Sequence, residues 1–383
     1  MYHKIHAIIL RSGASRGRSR FRIRLPMGVP AKIVSFFSLH LPLREIFFDM
    51  KYDIARQTLV PAFLTLVLLA TVFAWYSDIC GWYRPVVAPD GGMAVGTPDG
   101  WLAALAAARP SWARAVAVAA FLFAAMSTGR MSVRHNLYGV GTCLAIPLAG
   151  IFMVGMLPAG EALQGAVAAL LLSYSTKNFA RSFRNGYAFD ALLRAGGYLG
   201  LLVVLLPAAL PLAVLLPFAA VLFRRTLREA AVALFGLLLP LSLFAYVTWG
   251  AGGSFAAPFE RFGGLFVADG WLGLWRSLSA AEWLFAGFLS LLDLAAVGVL
   301  LRNLYGTGIQ SRLILFYNIG VLATILLACC TPAAGAAVLS LAALPSAVLA
   351  PTLFVRVRPA WATLLYALSV AVLAVKIALQ YSI

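Results

Sequence analysis

The chain has 383 residues, of which 62% are hydrophobic and only 11% charged, whereas a soluble domain carries about a quarter charged residues. The net charge of +17 first suggests a nucleic-acid partner, but the cations flank apolar runs instead of forming one stripe, which argues against that reading. Four cysteines (Cys80, Cys143, Cys329, Cys330) and four histidines (His3, His6, His40, His135) show no metal-ligand spacing, so neither a metal nor a cofactor is expected.

Residues 1–56 hold 11 Lys or Arg and read as a basic cytoplasmic tail. The short apolar piece Ile5 to Leu10 is no signal peptide. Within the tail, Ile33 to Phe48 is apolar and aromatic and suits an interfacial helix bent at Pro42. Residues 57–383 read as one transmembrane domain. Apolar runs long enough for bilayer-spanning helices predict about eleven spans, at 58–76, 112–129, 137–157, 160–176, 191–206, 208–223, 229–249, 282–301, 312–331, 334–354 and 360–379. Pro207, Pro211 and Pro217 interrupt the fifth and sixth, which also read as one bent hairpin crossing only partly. The expected fold is therefore all-α, a polytopic transmembrane helical bundle.

Orientation follows from the cations, which stay on the cytoplasmic side. With the N-terminus inside, 24 of the 30 Lys and Arg residues fall in inner segments, and every inner loop carries at least two. Arg84, Arg109, Arg114, Arg261, Arg276 and Lys376 fall to the other face. Two outer loops are long. Loop 77–111 is rich in Gly, Pro and Asp and ends in a short apolar helix, Trp101 to Ala108; loop 250–281 carries Phe255, Phe259, Phe262, Phe266, Trp271 and Trp275. Amphipathic helices at the outer interface account for both.

Few residues could carry chemistry. Asp293 sits mid-span, where an ionisable group is costly and faces a cavity or a partner. Asn318 lies at similar depth on the next span, so Asp293 bonded to Asn318 or Tyr317 would join two helices. Asp78 closes the first span at the outer surface, where a glycosyltransferase acting on a polyprenyl-phosphate sugar needs a carboxylate base. Asp90 and Asp99 lie in Asp-Gly turns and read as turn formers. Lys177, Arg181 and Arg184, mixed with aromatics, could grip a phosphate or an anionic headgroup. The run Phe223 to Glu229 reads as one helix ending in cations and another starting with Glu, favourable to both helix dipoles. No Walker loop, dinucleotide fingerprint, His-Glu-x-x-His or nucleophile elbow occurs in the chain.

The stretch from Leu137 to Trp249 resembles a family of uncharacterised inner-membrane proteins of Bacteroidetes. The similar pieces are Tyr187 to Gly200, the proline-broken pair through Pro207 and Pro217, and Leu222 to Ala230 followed by Leu234 to Tyr246. The chain departs from that family near Leu227, where its members carry an aromatic. The resemblance implies a polytopic bacterial inner-membrane protein without an established activity. Some members bear a β-carotene oxygenase label, which the four scattered histidines do not support. The expected function is an accessory component of cell-envelope machinery, with the lipid bilayer and other membrane proteins as partners. The alternatives are a glycosyltransferase using a lipid-linked glycan and a secondary transporter.

Overall fold

In the computed structural model the described residues are 53–81, 102, 106, 108–157, 160–181, 187–267, 270–332 and 334–381, all within the unit Tyr52–Ile383. The expected tail helix, most of loop 77–111 with Asp90 and Asp99, and Arg184 lie outside them. Among the described residues there are helices and no strand.

After a 3-10 turn at Ile54–Arg56, the helices are α1 (Leu59–Cys80), α2 (Pro110–Arg134), α3 (Ala145–Met156), α4 (Ala162–Arg181) and α5 (Phe189–Leu205). A 3-10 segment, Pro207–Val214, then runs into α6 (Leu215–Leu222), and α7 (Leu227–Gly250) follows. Two short helices, α8 (Ala257–Val267) and α9 (Gly273–Ser277), precede α10 (Ala280–Arg302), α11 (Ile309–Cys329), α12 (Ala336–Ser340), α13 (Ala343–Phe354) and α14 (Pro359–Tyr381).

Seven segments are long and apolar enough to cross a membrane: Leu59–Ile79, Pro110–Arg134, Leu227–Gly250, Ala280–Arg302, Ile309–Cys329, Ala336–Phe354 and Pro359–Gln380. The other four expected spans coincide with helices that fall short for visible reasons. α3 has 12 residues, about 18 Å of helix against a hydrocarbon core of about 30 Å. α4 is long but carries Gln164, Ser173, Ser175, Thr176, Lys177 and Asn178. α5 has 17 residues. Pro207 and Pro211 hold the next segment in 3-10 geometry for its first half, because proline supplies no N–H to an α-helical ladder. Within the 250–281 loop the described residues form α8 and α9, so helices stand where they were expected.

Two helices form the centre. Every residue of α3 is buried, and so is every residue of α13. They pack on one another, and α1, α2, α10, α11 and α14 pack around one or both of them. The perimeter is the reverse: Leu64, Leu68, Phe235, Leu291 and Leu294 are each more than 60% exposed. A core this buried inside a rim this apolar matches a lipid surrounding and would be a large exposed patch in water.

The bundle has two distinct ends. At one, Cys143 N–H donates to the Gln57 carbonyl, and Ser311 Oγ donates to the carbonyls of His135 and Asn136. This places the start of α1, the end of α2, the start of α3 and the start of α11 together, and Arg130, Arg134, Lys177 and Arg181 fall on this end. At the other, Asp78 at the end of α1 meets Arg114 at the start of α2. The long helices run between these ends.

Two helix starts are capped by their own side chains. Thr226 and Glu229 form a reciprocal capping box at α7, as do Ser279 and Glu282 at α10. Glu229 is buried, and its other carboxylate oxygen accepts from the Ala188 N–H at 3.0 Å, tying α7 to the start of α5. The Phe223 to Glu229 junction is thus structural, as its charge order predicts. Glu229→Ala is expected to cost about 1–3 kcal/mol, read as a lowered unfolding midpoint in detergent, because two backbone donors lose their acceptor at once.

Candidate functional site

Asp293 lies on the face of α10 that packs against α13, and is 5% exposed. Ser346 Oγ, on α13, donates to Asp293 Oδ2 at 2.5 Å. Asp293 Oδ1 is buried and has no hydrogen-bond partner among the described residues. Buried carboxylate oxygens are seldom left this way, because desolvation without a partner is costly. The helix opposite carries Pro351 in its interior, and such a proline leaves the carbonyl four residues earlier without its helical N–H donor.

Neither expected partner of Asp293 is its partner. Asn318 Nδ2 donates to the Ile314 carbonyl of its own helix at 2.8 Å. Tyr317 sits among Phe179, Phe218 and Phe223. The two-helix contact exists, but it joins α10 to α13 through Ser346. The chain is read against a neighbouring hairpin, while the fold brings in a helix 53 positions away.

Asn318 instead borders a small cleft with Thr128, Ser173, Thr176 and Pro345. The space is about 10 Å³, room for about one water. The hydroxyls around it return to their own helices: Thr128 Oγ1 to the Ala124 carbonyl, and Ser173 Oγ to the Leu170 carbonyl.

Asp78 is half-exposed and lies 3.4 Å from the equally exposed Arg114. The pair clamps the end of α1 to the start of α2 at the bundle end opposite Lys177. Exposed pairs of this kind contribute about 0–1 kcal/mol. Asp78→Asn is expected to shift the unfolding midpoint by no more than that. Loss of a polyprenyl-linked glycan product in a strain carrying Asp78→Asn would instead favour the transferase reading.

No family model matches the chain, and searches of the curated proteins and of the solved structures find no match to it. Among the described residues no group of His, Cys, Asp and Glu is placed to hold a metal ion.

Lys177 and Arg181 stand one turn apart at the end of α4. Lys177 lies over the Tyr174 ring, 5.3 Å from its centroid. Burial lowers the Lys177 pKa, and repulsion from Arg130, Arg181 and Arg134 lowers it further. The fold thus adds Arg130 and Arg134, from the end of α2, to the expected basic group.

Lys376, one of the cations assigned to the outer face, lies beside Tyr76 at the Asp78 end of the bundle and is fully buried there. Its Nζ donates to the Leu157 carbonyl at the end of α3, at 2.8 Å, and sits 5.3 Å from the centre of the Tyr76 ring. Tyr76 Oη donates to Gln380. The reason is geometric: the carbonyls closing a wholly buried helix need donors, and a lysine on a neighbouring helix can reach them. A lone cation in an apolar run is the sequence feature that marks such a position.

Proposed function

We infer that the chain is a multi-pass membrane protein that binds a proton or a small monovalent cation at Asp293, in the manner of a secondary transporter. The observation that carries this reading is the unpartnered Oδ1 of Asp293, on the face that meets a wholly buried helix with Pro351 in its interior. An ionisable group deep in such a bundle marks an ion pathway or a counter-ion by default. One carboxylate with a hydroxyl beside it is enough to hold one proton; a relay would need more. In this reading the membrane is the bacterial inner membrane. The basic end lies in the cytoplasm, and the chain passes between the two ends about eleven times, α3 to α6 included although each is shorter or more polar than a lipid-facing span.

The test is charge movement in proteoliposomes containing the full chain, after a step in pH or in Na⁺. The wild-type protein is expected to give a transient current that Asp293→Asn abolishes. Asn retains an acceptor for Ser346, so the variant should keep its unfolding midpoint. A current equal in wild type and variant would end the reading.

A second reading, an accessory component of envelope machinery, is supported by the closeness of the core, where the cleft beside Asn318 has room for about one water. It expects no ion-driven current and a stoichiometric membrane-protein partner in mild detergent. A monodisperse single chain after gentle extraction would count against it.

A further inference from the structure

α2 and α4 both end in cations at the same end of the bundle. Thr128 and Met131 of α2 share one cleft with Ser173 and Thr176 of α4. The two helices therefore run side by side in this region, and their next turns carry Arg130 and Arg134 beside Lys177 and Arg181. Arg130 and Arg134 are exposed, and Lys177 and Arg181 are half-buried.

Cations at helix ends are ordinary, because each C-terminus carries roughly half a negative charge. Two ends supply roughly one unit against four full positive charges, which leaves an excess of roughly three. The flanking sequence supplies no counter-charge: there is no acid between Asp99 and Glu161, nor between Glu161 and Asp190. The ion pairs of the described residues use Asp53, Asp78, Asp190 and Glu229, with none of these four cations as a partner. Gathering like charges without a counter-charge is costly unless an anion completes the cluster.

We propose that Arg130, Arg134, Lys177 and Arg181 form a binding site for the phosphate of an anionic phospholipid headgroup. The depth favours a lipid over free phosphate. α2 is a membrane-length apolar helix, and Arg130 and Arg134 lie in its last two turns, which is the headgroup level. The guanidinium forks of the arginines suit phosphate oxygens, and the Lys177 ammonium adds a point charge. The site is independent of Asp293 and stands whether or not a current is found.

The test is native mass spectrometry of the full chain in mild detergent with added phosphatidylglycerol or phosphatidylcholine. Wild-type protein is expected to retain phosphatidylglycerol preferentially. Each cation removed should weaken retention about fivefold, so Lys177→Gln with Arg181→Gln should lose most of it. Arg356→Gln with Arg358→Gln removes the same charge from other exposed positions and should leave retention as in wild type. Should the first pair fail to fold, the exposed Arg130→Gln with Arg134→Gln gives the same reading. Equal loss in the Arg356 and Arg358 control would overturn the site in favour of net charge. Equal retention of the two lipids, or unchanged retention in the cluster variants, would also overturn it. Displacement of the lipid by millimolar inorganic phosphate would reassign the cluster to a soluble anion and overturn the lipid.

Discussion

Gly200→Ala is expected to disrupt the bundle although it adds a single carbon. α5 and α7 approach so closely that their backbones touch at Gly196, Gly200 and Gly236. A Cβ on Gly200 would overlap the Leu237 carbonyl, one on Gly196 the Ala233 carbonyl, and one on Gly236 the Leu193 carbonyl. These obstacles are backbone atoms with no rotamer to turn away, so the cost is expected to reach about 3 kcal/mol, the upper part of the overpacking range. Gly197 is the internal control. Its added Cβ would come no nearer than 3.8 Å to the Gly236 carbonyl, an ordinary contact, and Gly197→Ala is expected to be tolerated. The measurement is the unfolding midpoint of each variant in one detergent. Equal behaviour of Gly197→Ala and Gly200→Ala would show that the two helices do not meet in this way.

Lys376→Met is expected to be the most damaging change to a single charged residue in the core. It keeps the length and apolar stem of the side chain but removes the donor to the Leu157 carbonyl and the charge over the Tyr76 ring. A charged hydrogen bond contributes about 1.5–3 kcal/mol and a desolvated cation–π contact about 2 kcal/mol. The combined loss is expected near 3 kcal/mol, since such terms add imperfectly. Lys376→Arg keeps a donor and a charge and should recover part of it. If Lys376→Met unfolds at the wild-type midpoint, the end of α3 does not depend on this lysine.

Much of the fold is legible in the sequence, because run length and hydropathy alone identify a membrane-length helix. All seven such segments coincide with expected spans, and the break at Pro207 and Pro211 appears where the prolines stand. The difficulty lies with α3 to α6. An apolar run does not reveal whether its residues face lipid or a neighbouring helix, so buried short helices and bilayer spans look alike. The Gly196-x-x-x-Gly200 spacing was open to reading as a close helix contact. Its partner, Gly236, stands alone and carries no such mark.

The candidate site is less legible for a related reason. Asp293 is conspicuous as a carboxylate inside an apolar run, but Ser346 is one small polar residue among many. Only the packing of α10 on α13 selects it. Likewise Arg130 and Arg134 look like ordinary loop-flanking cations until α2 and α4 are seen to end side by side. Lys376 sits near the end of the last apolar run, and its sequence position fits a surface cation equally well.

The pairing of α3 with α13 also bears on how the chain is made. These central helices are separated by roughly 200 residues. At the usual synthesis rate of about 5–20 residues per second, α3 exists for on the order of ten to forty seconds before α13 has been translated. Throughout that interval the face α3 will give to α13 has no native partner, although α1 and α2 are already present. Ribosome stalling or truncation before residue 343 would therefore leave an open centre rather than a smaller finished bundle, and such a product should be a preferred target for membrane proteolysis.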